Sequence, residues 1–375
     1  MIPALQPCRT NVAIAASCAL LAFTACGLPG VTATKDASAG PAPTPWTAPQ
    51  PYTIGATVAS PGEVYSIDTS MPGDVVYLAG DMPLIITVPH GGSIERGIPE
   101  RKGFPGFINK NNDDATIELA LEIEKGIREI THGRRPHVII NKLSRVILVQ
   151  NRGHGEDANP TTGRGGDAWK DFHERFIAGV AIPAVLKAHG SGLFIDLHGK
   201  PDGYGADIII GYNLTSWELS NSDNHLNTGK KAYADRSSIR FLAKKLGGKV
   251  DFAALLRGNR PGHESFGSLL QSRLDVFNRT HGKKLSAVPR HDLKKPFISL
   301  SGGYNIRAYC GAKDRRFNNP YRYTMSRFIC GFQLEVSREI RVQDARLRRE
   351  FARSVAEAII AFIEQNLGMR IMPPE

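Results

Sequence analysis

The chain has 375 residues, 41% of them hydrophobic and 22% charged, the balance of a globular protein and not of a disordered or fibrous one. Its length admits one large domain or two small ones. The net charge of +11 suits a solvated basic surface, an anionic membrane or acidic substrates, but the basic residues are dispersed and no helix-turn-helix, RNA-binding or zinc-finger pattern occurs, so nucleic acid is not an expected partner.

The N-terminus reads as an export signal. Arg9 is the only charged side chain ahead of an apolar run, VAIAASCALLAFTA, from Val12 to Ala25. That run is short for a transmembrane helix and has the flanks of a signal peptide. It ends in Thr24-Ala25-Cys26, small residues before a cysteine, as at a bacterial lipoprotein cleavage site. Residues 1–25 are therefore expected to be removed, with Cys26 carrying lipid and anchoring the protein to a bacterial membrane, on its periplasmic or outer face. Ordinary secretion with cleavage near Ala25 is the alternative. Residues 27–52 are rich in Pro, Ala, Thr and Gly and show almost no apolar periodicity, the composition of a tether. Cys310 and Cys330 then remain, and in an exported protein an isolated pair is expected to be joined. Two buried thiols are the other reading.

From residue 55 to about 370, strand and helix patterns alternate. Val75–Ala79 and Leu84–Val88 are apolar and β-rich. Asn112 or Asp113 can cap a helix that lines up Leu119, Ile123, Ile127 and Ile130. His137–Asn141 and Val146–Val149 read as strands. Asp167–Ala188 is helical, with Trp169, Phe172, Phe176 and Val180 on one stripe and Pro183 as a kink. Leu193–Leu197, Ile208–Ile210 and Phe332–Val336 are further strands. A last helix carries Leu347, Phe351, Val355, Ile359 and Phe362 and stops at Gly368. This order predicts an α/β fold, a mixed and largely parallel sheet flanked by helices, in which sites form beyond the C-terminal ends of strands. The segment from about Arg257 to Arg327, rich in Gly, Pro, Arg and Asn, reads as long binding loops.

Three polar clusters follow short apolar strands: Pro89-His90-Gly91-Gly92-Ser93-Ile94-Glu95, Asp196-Leu197-His198-Gly199 and Gln333-Leu334-Glu335-Val336-Ser337-Arg338. One histidine after a strand is usually structural. Two, each flanked by glycine and an acid, fit a metal. Zinc accepts imidazole nitrogen and carboxylate oxygen, and a catalytic site uses three protein ligands plus water. His90, Glu95 and His198 meet that count, with Glu100 the alternative carboxylate. Gly91 and Gly92 would let the chain turn back so that Glu95 reaches the ion. Glu335 is then the general base, because a carboxylate must move the proton from water to the leaving amine. Asp196 lies on the same strand face as His198 and suits a partner that orients an imidazole.

The ordered set PHGGSIE, SRVILVQNR, LFIDLHG, SGGYN and FQLEVSR resembles the N-formylglutamate amidohydrolase family, within the wider zinc-carboxypeptidase-like superfamily, over most of residues 75–340. The His-x4-Glu spacing of His90 and Glu95 is similar to that of the poly-γ-glutamate hydrolases and departs from the His-x2-Glu of the carboxypeptidases. The resemblance implies a zinc-peptidase-like (phosphorylase/hydrolase-like) domain, with His90, Glu95 and His198 on Zn2+ and Glu335 as the catalytic glutamate. It implies that Asn151 and Arg152 clamp a substrate carboxylate, which suits the planar fork of a guanidinium; a surface salt bridge is the other use of Arg152. Arg145 is expected at the oxyanion or at a solvated strand end, and Tyr304 over the substrate or in plain packing. Arg338 is expected to line the site or to pair with Glu335 or Glu339. The expected activity is hydrolysis of an amide next to a free carboxylate in an acyl-amino acid or γ-glutamyl-type substrate. A cell-wall peptide or polyglutamate is the rival substrate, and a non-catalytic ligand-binding lipoprotein is the rival class.

Overall fold

The computed structural model describes residues 73–102, 109–156, 159–228, 233–248, 250–292, 300–310 and 326–372. The expected signal peptide, Cys26 and the 27–52 tether lie outside the described residues, as does the start of the expected domain. No described helix is long and apolar enough to cross a membrane.

Among the described residues seven strands form one sheet, in the order β1-β3-β2-β4-β7-β5-β6. They are β1 (Val75–Leu78), β2 (Leu84–Val88), β3 (His137–Asn141), β4 (Gly192–Lys200), β5 (Ile208–Gly211), β6 (Ala287–Val288) and β7 (Ile329–Ser337). The central run β3-β2-β4-β7 is parallel. β1 pairs antiparallel with β3, and β5 antiparallel with β7. Central parallel strands are covered on both faces and so read as near-continuous apolar runs. LIITV and GLFIDL have that form. The sheet is thus the mixed, largely parallel α/β sheet predicted from the alternation.

Side-chain alternation along the strands sorts the core into two layers. One face carries Leu84, Ile86, Leu193, Ile195, Leu197, Phe332, Leu334 and Val336, packed against the helices Thr116–Ile130, Phe266–His281 and Ala345–Phe362. Ile85, Phe194 and Ile329 lie on the other face, under Trp169, Phe172, Phe176 and Ile177. Fully burying side chains of this size stabilises by roughly 1.5–3 kcal/mol each before entropy is counted. On that second face the strands turn polar toward their C-terminal ends. Thr87, Asp196 and Gln333 share one level of the register, and His198 and Glu335 share the next.

Several expectations change. Val146–Val149 is a turn rather than a strand, because the chain leaves the sheet after Asn141 and the Val146 carbonyl accepts from the Arg101 amide instead of a ladder partner. The long helical run is Gly163–Lys170, a π-helical stretch Asp171–Ala181, and Ile182–His189. Pro183 opens its last piece rather than kinking a continuous helix. Inside the segment read as loops stands a 16-residue helix, Phe266–His281, capped by Ser265 and ended by left-handed Gly282. Cys310 and Cys330 are both free and buried, which corrects the expected disulfide. Cys330 belongs to the first core layer and Cys310 to the second. Cys310 Sγ packs where a side chain on Gly331 would stand, so the thiols lie on opposite faces of β7. A thiol titration of the unfolded protein under non-reducing conditions should count both as free. A Cys310–Cys330 peptide in the mass map would contradict the packing.

Candidate functional site

The polar ends of β4 and β7 open into a cavity of about 420 Å³. Asp113, Arg145, Asn151, Arg152, His198 and Glu335 line one part of it, and Lys200, Tyr204 and the 300–303 segment another. Cavities of this size take small ligands.

His90 follows β2 and is 1% exposed, with no hydrogen-bond partner on either ring nitrogen among the described residues. Burial, then the Arg145 charge, holds it well below the usual imidazole range, so it is neutral and offers a lone pair. Its ring centre lies 5.0 Å from that of His198. The chain leaves His90 through a gap that admits only glycine. A Cβ on Gly92 would stand 2.1 Å from the Lys142 backbone, and one on Gly91 would meet Thr116.

That exit corrects one expected ligand. Ile94 bridges Leu143 and extends the sheet beside β3, which carries Glu95 outward, where it is exposed. Glu100 is also exposed and pairs with Lys110. The carboxylate beside the histidines is Asp113. It does not cap the helix Thr116–Ile130, whose first turn begins after left-handed Ala115 without any side-chain cap. Asp113 Oδ2 instead accepts from the Gly199 amide at 3.0 Å and faces His198 Nδ1 at 3.3 Å, while Oδ1 lies 3.3 Å from Arg145 Nη1. The Asp113 amide donates to the His90 carbonyl at 2.9 Å, which ties the two residues together.

His198 is held from behind by Asp196. Asp196 Oδ2 lies 2.8 Å from His198 Nε2, and its Oδ1 accepts from Thr87 Oγ1 at 2.6 Å and Asn305 Nδ2 at 3.0 Å. Asn151 Nδ2 is 3.2 Å from the same ring nitrogen, but two donors cannot share one bond. The shorter carboxylate contact places the proton on Nε2. Nδ1 then faces Asp113 and needs a cation between them. Burial alone would lower His198, yet Asp196 and Asp113 outweigh it and raise it to about 10. A proton or a metal ion can fill that need.

Glu335 stands next to His198 across the β4–β7 ladder, 8% exposed. Burial raises it to about 7, with His198 pulling the other way. A carboxyl poised near neutrality in a cleft suits proton transfer. Asn151 accepts from the Asn305 amide at 3.0 Å, and its carbonyl holds Arg152 Nη1 at 2.8 Å. Arg145 and Arg152 both reach the cavity.

Of two further expectations, Tyr304 takes its plain-packing alternative and Arg338 takes neither of its expected places. The Tyr304 side chain does not lie over the cleft. It is 7% exposed, packs edge-on to His173 at 5.5 Å, and burial pushes its phenol up to about 12. The tyrosine at the cavity is Tyr204, 45% exposed. Arg338 is exposed outside the cavity, and Glu339 pairs with Lys283 at 2.9 Å instead. Sequence reasoning missed the roles of Asp113, Asn305 and Gln333. For Gln333 the signal was present, two residues before Glu335 on one strand face.

Among the described residues no group of three His, Cys, Asp or Glu side chains stands arranged to hold a metal ion. His90, Asp113 and His198 nonetheless fit zinc in donor chemistry. They offer one unpartnered buried imidazole, one carboxylate facing an imidazole Nδ1, and a second carboxylate behind that imidazole, the usual support for a metal-binding histidine.

The fold and cleft together define an α/β protein with a histidine–carboxylate cluster at the C-terminal ends of its parallel strands. Solved structures similar to it include N-formylglutamate amidohydrolase from Ralstonia eutropha JMP134, at TM-score 0.39 and 13% identity, covering 76% of this chain and 98% of that one. A gene product of Agrobacterium tumefaciens is similar at TM-score 0.39 and 10% identity, covering 76% and 93%. No family model and no curated protein matches the chain. Likeness at this level carries no functional argument, and the functional reading rests on the residues of the site.

Proposed function

We propose that the protein is a zinc-dependent amidohydrolase, with His90, Asp113 and His198 as the metal ligands and Glu335 as the general base. The observation that carries this reading is the pairing of His198 Nδ1 with Asp113 Oδ2 at 3.3 Å beside the unpartnered His90 ring, one strand away from a buried carboxyl. Zinc held there would supply Lewis acidity to a carbonyl and to water.

The chain's own residues then divide the work. Asp196 fixes the His198 ring through Nε2. Glu335 takes a proton from water as the water oxygen bonds to the amide carbon. When the C–N bond breaks, Glu335 returns that proton to the leaving nitrogen. Arg145, which lines the cavity, would stabilise the oxyanion. Arg152, held by the Asn151 carbonyl, offers its fork to a carboxylate on the substrate. The substrate class is therefore an amide next to a free carboxylate, an acyl-amino acid or γ-glutamyl-type compound, with cell-wall peptides and polyglutamate as rivals. Export and a lipid anchor at Cys26 belong to the same proposal.

Metal analysis of the purified full-length protein should find one zinc per chain. The same sample should hydrolyse at least one of N-formylglutamate, γ-glutamyl peptides or muropeptides, and a chelator should abolish that turnover. Zinc without turnover of any of these would favour a binding protein. Turnover that survives removal of all metal would sink the mechanism.

A further inference from the structure

Gln333 is a residue to which the mechanism above gives no task. It is 5% exposed on β7, two residues before Glu335 and on the same face. Its amide makes three contacts. Oε1 accepts from the Gly303 backbone amide at 2.7 Å and faces Asn151 Nδ2 at 3.4 Å. Nε2 donates to Glu335 Oε1 at 2.6 Å. The orientation of an amide is often ambiguous, but here it is fixed. The Gly303 N–H can only donate, so it must meet Oε1, and Nε2 is left to face Glu335.

We infer that Gln333 is a positioning residue that reserves Oε2 of Glu335 as the oxygen that takes and returns the proton. The inference rests on the proposed role of Glu335 as base. A carboxylate has two nearly equivalent oxygens. The 2.6 Å bond takes one lone pair of Oε1 and draws on its negative charge, which leaves Oε2 the more basic oxygen. The proton removed from water therefore goes to Oε2 and leaves from Oε2 to the amine, so one oxygen serves both transfers without the carboxyl turning. The group is buried, so no solvent shell is needed to hold it. Geometry held within fractions of an ångström is what such transfers require.

The same amide couples the base to the substrate end of the cleft. Gly303 belongs to the segment that lines the cavity, and a Cβ there would stand 2.0 Å from the Asn151 amide. Asn151 in turn accepts from the Asn305 amide and holds Arg152. Gln333 thus links the proton-transfer group, the 300–303 segment and the proposed carboxylate clamp in one hydrogen-bonded unit.

Two variants separate these tasks. Gln333→Glu keeps an acceptor for the Gly303 amide but removes the Nε2 donor. Its kcat should fall roughly 10- to 100-fold, the loss expected for a hydrogen bond to a charged group, while KM and the zinc content stay near wild type. Gln333→Met removes both ends, so its kcat should fall as far and its KM should rise as well. A residue needed only for packing would not divide kcat from KM in this way. Wild-type kcat in either soluble, zinc-loaded variant, alongside an inactive Glu335→Gln, overturns the inference and leaves the proposed function standing. If Gln333→Glu does not fold, the kcat of Gln333→Met decides by the same criterion. A wild-type protein that neither binds zinc nor cleaves any amide overturns both together.

Discussion

Asp113→Asn should strip the full-length protein of zinc and of activity together, while Glu95→Gln leaves both at the wild-type level. The exchange keeps the size of Asp113 and its bond from the Gly199 amide. What it removes is the negative charge 3.3 Å from His198 Nδ1. A neutral amide oxygen is a poor zinc ligand, and His198 loses the partner that makes a cation welcome beside it. Losing a partner outside the ligand set typically costs ~10–100-fold in metal affinity or activity, so losing a ligand should cost more than ~100-fold. Glu95 is exposed and should contribute neither effect. The measurements are zinc stoichiometry after dialysis and turnover of whichever substrate the wild type accepts. Asp113→Asn also weakens the pairing with Arg145, so thermal unfolding of the metal-free proteins should accompany the assay. A folded Asp113→Asn with a full zinc equivalent would show that the third ligand lies elsewhere. Loss of zinc in Glu95→Gln would return that role to the HGGSIE turn.

This contrast marks where the sequence was readable. The strands that carry the site were legible because buried parallel strands are short apolar runs, and LIITV, LFIDL and FQLEV stand out as such. His90, His198 and Glu335 follow or end those runs, so their convergence followed from the fold class. Asp113 was hidden by local chemistry. Asn and Asp ahead of a helix read as caps, but left-handed Ala115 opens that helix and frees Asp113 to turn to Gly199, 86 positions along the chain. Nothing local in the sequence announces such a contact. The sequence left Tyr304 between the substrate and plain packing, and it opens the short helix Tyr304–Tyr309, which turns the ring into the apolar layer around His173. The disulfide expectation counted cysteines without knowing that β7 separates them. The helix Phe266–His281 carried its own signals, Ser265 before it and Gly282 after it, which the glycine- and proline-rich surroundings obscured.

Glu335→Gln should keep zinc and lose turnover. The substitution preserves volume in a buried site and retains an oxygen to accept from Gln333 Nε2, which now bonds to it at 2.6 Å. It removes the group that moves the proton. The expected loss in kcat is ~10²–10⁴-fold, the range typical of general acid–base catalysis, with KM little changed because substrate is held by other residues. The pH dependence has a definite sign. A base works deprotonated, so activity in the wild type should fall as pH drops through the carboxyl's pKa. Burial, opposed by the protonated His198, leaves that value at about 7 in the metal-free protein, and zinc would take the place of the His198 proton with a larger positive charge. A zinc ion beside it would lower it further, so the acid limb should lie below about 7. Residual activity in Glu335→Gln should lack that limb, because the titrating carboxyl is gone. Loss of zinc in Glu335→Gln would make it a ligand, and unchanged turnover on a confirmed substrate would give the proton transfer to another group. The pair of variants divides the roles, since Asp113→Asn is expected to lose the metal and Glu335→Gln to lose the chemistry with the metal still bound.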